Sequence, residues 1–200
     1  MSSPVEICNM ALSHLGVGKE IASLTENSQE AKACRRFYEN SRDDTLRAFD
    51  WSFATAFIAL GLVEEDPTTE WAFSYRQPSD CIKIRRILSG ERNDTQESKT
   101  PFKISSDTSG ILILTDMEEA TTEYTKRTEA VEHYPSDFIQ AMSFKLAVLI
   151  APRLTAGDRF KMGARAASLF VKAISDAQGN SLNEEQPDQP PDSEFITARN

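Results

Sequence analysis

The apolar positions of this chain change period at Arg47-Ala-Phe-Asp-Trp-Ser-Phe53 and change back near Tyr134-Pro135. Outside these points hydrophobic residues recur at helical steps; between them they come in short bursts separated by Gly, Pro, Asn and Asp, as strands do. Ser3-Pro4-Val5-Glu6 reads as a capping box with proline at the first helical position. It opens a helix with Val5, Cys8, Leu12 and Leu15 on one face, stopped at Gly16-Val17-Gly18. Ile21 and Leu24 anchor a short turn. A second helix is predicted over 28–49, with Ala31, Cys34, Phe37, Tyr38, Thr45, Leu46 and Phe49 inward.

Strands are predicted at 53–60, 71–75, 82–88, 102–104, 111–114 and 121–127, with Ser109-Gly110 as a hairpin turn and 93–100 as a polar loop. Ser136 reads as the N-cap of a third helix carrying Phe138, Ala141, Met142, Leu146, Leu149 and Ile150, which Pro152 ends or kinks. A fourth helix is expected over 159–178, turned inward through Phe160, Ala164, Ala167, Val171 and Ile174 and capped by Gly179-Asn180. The expected fold class is α+β: an α-helical bundle of about four helices with an inserted small antiparallel β domain. Its divisions are 1–52 (helices), 53–130 (β domain), 131–180 (helices completing the bundle) and 181–200 (an acidic, Pro-rich C-terminal tail, disordered or ordered by a partner).

With 40% hydrophobic residues, the 200-residue chain has enough apolar material for a core of its own. Its longest oily stretch, 144–151, contains Lys145, so neither a transmembrane helix nor a signal peptide is expected. Cys8, Cys34 and Cys81 are odd in number and far apart, which suits small buried hydrophobes better than disulfides or zinc. A net charge of −9 argues against gripping nucleic acid by counterion release, yet suits a wall past which nucleic acid slides.

Candidate chemistry is thin. His14 and His133 have no ligand or nucleophile at useful spacing, and Asp43-Asp44 point in different directions on a helix. Gly16-Val-Gly18-Lys19 lacks the spacing of a phosphate loop. No catalytic residue, metal ligand or cofactor is therefore expected. The charges between Glu30 and Arg47 alternate in sign, which fits either a solvated face or a subunit interface; the residues singled out for an interface are Arg35, Arg36, Glu39, Arg42 and Asp43. Trp51, Phe53, Trp71 and Tyr75 are expected to seal the joint between helices and sheet.

The order of motifs resembles the tail tubular protein A-like family, the head-to-tail adaptors of short-tailed bacteriophages. The matching stretches are Glu6-Ile-Cys-Asn-Met-Ala-Leu-Ser-His-Leu-Gly16, Ser23-Leu-Thr-Glu26, the helix from Ala31 to Tyr38, and Arg47-Ala-Phe-Asp-Trp-Ser-Phe53. Trp71-Ala-Phe-Ser-Tyr75, Pro78-Ser-Asp-Cys-Ile82 and Tyr134-Pro135 follow, so the resemblance spans most of 5–178. It implies a non-enzymatic virion protein, made in the host cytoplasm, that forms a dodecameric homo-oligomeric ring between the portal protein and the tail nozzle protein. Genomic DNA would pass through the lumen without specific binding, and no membrane is involved. The family's C-terminal segment reaches the portal, which implies a portal-binding role here for Phe195, Ile196 and Arg199. Two other classes stay open: a head-completion or connector protein of a long-tailed phage, and a small enzyme with a site built from scattered residues.

Overall fold

The computed structural model describes residues 3–90, 99–158 and 160–184. Helix α1 (Pro4–His14) starts at the expected cap, where the Ser3 hydroxyl accepts from the Glu6 N–H at 3.1 Å. Helix α2 (Gln29–Ala48) starts the same way, with Ser28 accepting from the Ala31 N–H at 3.2 Å. Both pack on α3 (Ser136–Leu154), which also takes α4 (Met162–Glu184) along its length. Cys8, Leu12, Cys34, Leu146 and Ile150 fill one core among these helices. Ile7, Leu46, Trp51, Phe138, Met142 and Ala177 fill a second, nearer the sheets.

Seven strands lie between α2 and α3 among the described residues: β1 (Thr55–Ala59), β2 (Gly61–Thr68), β3 (Trp71–Arg76), β4 (Cys81–Ile87), β5 (Phe102–Asp107), β6 (Gly110–Thr115) and β7 (Thr121–Lys126). They form two antiparallel sheets, ordered β1-β7-β4 and β2-β3-β6-β5. This overturns the expected helical bundle with a small insert. The protein is a mixed α/β structure of four helices and two sheets, and its strand content exceeds what a small inserted domain implies.

Two features explain the difference. Strand β2 was not predicted because it is an edge strand exposed along nearly its whole length, so it has no buried face to impose an alternating pattern. Leu60 then carries the chain from one sheet to the other in a single residue. Its N–H donates to the Ala120 carbonyl at 2.8 Å, and its side chain joins Tyr75, Ile87, Ile113 and Ala120 in a third core contributed by both sheets. The β5–β6 hairpin turns where Ser109-Gly110 was read, held by Asp107, whose carboxylate accepts from the N–H groups of both turn residues at 2.8 Å. The loop read at 93–100 falls largely outside the described residues.

The last two helices also depart from the sequence reading. Ser136 is the first residue of α3, not its cap; Pro135 holds the cap position without a side-chain bond. Pro152 falls in the final turn and the helix continues to Leu154. Helix α4 begins at Met162, after a connection with positive φ at Ala156, Gly157, Asp158 and Lys161. Its first turn is capped by Asp158, which accepts from the Gly163 N–H at 2.8 Å. The inward face is Ala166, Phe170, Ala173, Ile174 and Ala177, whereas Phe160 and Val171 are 79% and 68% exposed. Alanines at 166, 173 and 177 let α4 approach α3 beside Phe170 and Ile174, and the helix passes through Gly179-Asn180 to Glu184 without stopping.

Gly163 marks the closest approach, since a Cβ built there lies 2.8 Å from the Ala151 Cβ. Gly163→Ala is expected to destabilise the protein by about 1–3 kcal/mol through overpacking, whereas Val171→Lys should stay within about 0.5 kcal/mol. Urea denaturation of both variants checks the helix orientation: a costly Val171→Lys would contradict it.

Candidate functional site

The meeting of helices and sheets is built around Trp51. Its indole is 4% exposed and lies edge-on to Phe49 and Phe138, with ring centroids 5.0 and 5.1 Å away. The indole N–H donates to the Thr45 carbonyl near the end of α2 at 2.9 Å, satisfying the one polar atom that burial would otherwise leave unpaired. Phe53 extends the cluster to Tyr134 and Phe138. Trp71 and Tyr75 stand elsewhere: Tyr75 belongs to the core between the sheets and donates to the Met117 carbonyl at 2.8 Å, and Trp71 lies in β3 of the same four-stranded sheet. The four aromatics expected at one joint therefore divide into two pairs.

Arg85 supplies the polar half of the joint and was missed in the sequence. From β4 it donates to the Trp51 carbonyl at 2.8 Å, to the Thr55 hydroxyl at 2.6 Å and to the Thr125 hydroxyl at 3.0 Å, so it reaches across β7 to β1. Asp50 and Glu123 lie 3.6 Å from its guanidinium. Strand β4 bulges at two places, with Ile82 and Arg85 as the residues lacking a partner in the register with β7. A bulge re-aims the side chain it carries. Ile82 packs on the core below Trp51 and accepts from Arg47 through its carbonyl at 3.1 Å, so both bulged residues tie the sheet to the helices.

The charged face of α2 divides in two. In its C-terminal half, Arg42 is buried, with a side chain 8% exposed; it donates to Asp43 at 2.9 Å and lies 3.8 Å from Glu129. Asp43 also meets Arg127 at 3.1 Å, and Asp44 meets Lys145 at 3.0 Å. Arg42 and Asp43 are thus committed within the chain. In the N-terminal half, Lys32, Arg35, Arg36 and Glu39 are exposed, and none forms an ion pair among the described residues. Of the five interface candidates, Arg35, Arg36 and Glu39 remain presented to solvent. Phe195, Ile196 and Arg199 lie outside the described residues.

His14 bonds the Ser143 hydroxyl at 3.1 Å, but Ser143 is fully buried, donates to the Gln140 carbonyl of its own helix, and offers no path to a substrate. The Cys8 thiol is held well above its usual range by its hydrogen bond with Cys34 and by burial, so it is a poor nucleophile. The Cys81 thiol, beside the charged α2–β4 groove, is pushed up to about 11 by burial and by Asp80. That groove, about 430 Å³, is lined by Ile82, Ile84, Ile104 and Ile111 together with Asp43, Asp44, Arg47, Lys83 and Arg127. Among the described residues no group of three or more His, Cys, Asp or Glu is placed to hold a metal ion, and no helix is long and apolar enough to cross a membrane.

Compared with known proteins, the sequence matches no protein-family model and no curated protein.

Two outcomes test the joint. Trp51→Ala is expected to cost about 3–5 kcal/mol in chemical denaturation, since it empties the aromatic cluster and leaves the Thr45 carbonyl short of a donor. A second outcome concerns acid. Burial lowers the pKa of His14 in the folded state, so the unfolded chain takes up the proton first. The stability tied to the neutral ring is complete above the ordinary value near 6.5 and is lost as pH falls from there towards the lowered folded value. Thermal midpoints measured between pH 7.5 and 5 should therefore decline, and His14→Gln should flatten the decline.

Proposed function

We propose that this protein is a structural virion subunit: a head-to-tail adaptor that forms a ring between the portal and the tail nozzle of a short-tailed phage and leaves an open channel for DNA. The observation that carries the reading is the split face of α2. An isolated surface helix normally matches its charges locally by pairs three or four residues apart. Here Lys32, Arg35, Arg36 and Glu39 are exposed and form no ion pair among the described residues, while Arg42, Asp43 and Asp44 in the other half of the same helix are paired. A neighbouring copy that supplies the opposite charges is the economical explanation. The motif order described above and the net charge of −9, which disfavours sticking to phosphate, support the same reading.

In this reading the helices form the ring wall, the β sheets face the nozzle, and the segment after α4, with Phe195, Ile196 and Arg199, docks on the portal. Electron microscopy of the purified protein mixed with its portal is expected to show rings stacked on portal rings. Deleting 185–200, which leaves α4 whole, should abolish that stacking and leave the thermal midpoint unchanged; undiminished stacking sinks the docking role of the tail. Arg35→Glu combined with Arg36→Glu should prevent ring formation without unfolding the monomer, which circular dichroism checks. Monomers in every field, with portal present, would overturn the adaptor reading.

A further inference from the structure

The two edges of the four-stranded sheet fit each other. Among the described residues strand β2 forms one edge and β5 the other, and both carry large apolar side chains in the open: Leu62 is 51% exposed, Val63 44% and Ile104 47%. Bare apolar edges are a hazard that monomeric proteins guard with charge, proline or bulges. The guards here are partial. Pro67 blocks only the far end of β2, which leaves Gly61 to Glu65 able to pair.

We propose that β2 of one copy pairs with β5 of the next, so that the sheet continues from subunit to subunit. The occupant of each edge is a second copy of this chain, and the contact rests on the ring reading above for its partner. Topology favours it. The sheet is antiparallel throughout and has four strands, so β2 and β5 run in opposite directions. A copy added in the same orientation brings its β2 antiparallel to the β5 already there, and the alternation is unbroken.

Side chains fix the register. In β2 the pairing with β3 makes Val63 the extra residue of a bulge, with Leu62 opposite Tyr75 and Glu64 opposite Ser74. Leu62 therefore shares the face of Tyr75, and Glu64 the other face. In β5, Ile104 lies opposite Ile113, itself opposite Tyr75, so Ile104 is on Leu62's face; Lys103 is on Glu64's. Setting Leu62 against Ile104 then sets Glu64 against Lys103, apolar against apolar and acid against base. Neither Glu64 nor Lys103 has an ion-pair partner among the described residues. Such a head-to-tail contact closes a ring if its rotation closes and grows a filament otherwise.

Cysteine cross-linking tests the contact, in a Cys81→Ser background and with and without portal rings. Glu64→Cys and Lys103→Cys proteins, purified apart and mixed under mild oxidation, are expected to give a 64–103 disulfide. The double variant should give a ladder of multimers on non-reducing gels. Lys103→Glu should weaken self-association about tenfold, and adding Glu64→Lys should restore it. Thermal melts confirm that each variant is folded. Disulfides between two copies of position 64 would show a two-fold β2–β2 contact and overturn the proposal, as would a mixture that stays uncross-linked in both conditions. Rings on portals without the 64–103 disulfide would remove this contact and leave the adaptor reading intact. The disulfide without portal binding would do the reverse.

Discussion

The structure depends on the residues around Trp51, where two chemistries meet in one short stretch. The indole is buried among Phe49, Phe53 and Phe138, which fixes the chain leaving α2 against α3. The carbonyl of the same residue accepts from Arg85, which fixes the start of β1 against β4. Apolar contact alone is non-directional and would let the sheets swivel on the helices. The guanidinium prevents this, because a planar fork spread over Trp51, Thr55 and Thr125 fits one orientation. Side-chain bonding of that kind is costly to break once Arg85 is largely buried.

Parts of this arrangement could be read from the sequence, and the reasons others could not are physical. Helices α1 and α2 announce themselves through Ser3 and Ser28 as caps and through a single apolar stripe, and most strands with one buried face show a usable alternation. The aromatic run from Phe49 to Phe53 was recognisable as a junction by its change of period. Strand β2 was invisible because Glu64, Glu65, Asp66 and Pro67 belong as readily to a loop, and nothing buried reveals the strand. The face of α4 was read only in part: Ile174 is inward as expected, but Phe160, Ala164 and Val171 are exposed. Close packing at Gly163 and Ala151 instead admits alanines and leaves Val171 outside. Arg85 could not be distinguished from Lys83 or Arg86, since the bulges that select it arise from pairing with a strand forty residues away.

The two halves of α2 show how tertiary position decides the fate of a charge. Its C-terminal end lies on β4, within reach of Arg127 and the Ile82 carbonyl, and its Asp44 faces Lys145 of α3. At a rise of about 1.5 Å per residue, Lys32 sits roughly 20 Å further along the axis, beyond the sheet. A periodic charge pattern gives no hint of this difference. The same alternation of Arg, Asp and Glu is an internal network at one end and, at Lys32, Arg35, Arg36 and Glu39, an exposed set with no ion pair among the described residues at the other.

The proposed contacts lie on either side of the rigid joint, and each is weak. The part of β2 left open by Pro67 is short, and a single pair of short strands is marginal in water. The charges of Lys32, Arg35, Arg36 and Glu39 are solvated in the monomer, so matching them with a neighbour gains little per pair. Held at a fixed separation by Trp51 and Arg85, however, the two proposed surfaces would act together: once one had docked, the other would bind at a high effective concentration. A loose joint would forfeit that gain without losing any single contact. The stiffness of the junction therefore bears on assembly as well as on folding. In the proposed ring, such a joint would let a subunit with modest edges stay dispersed at low concentration and close only when a template aligns its neighbours.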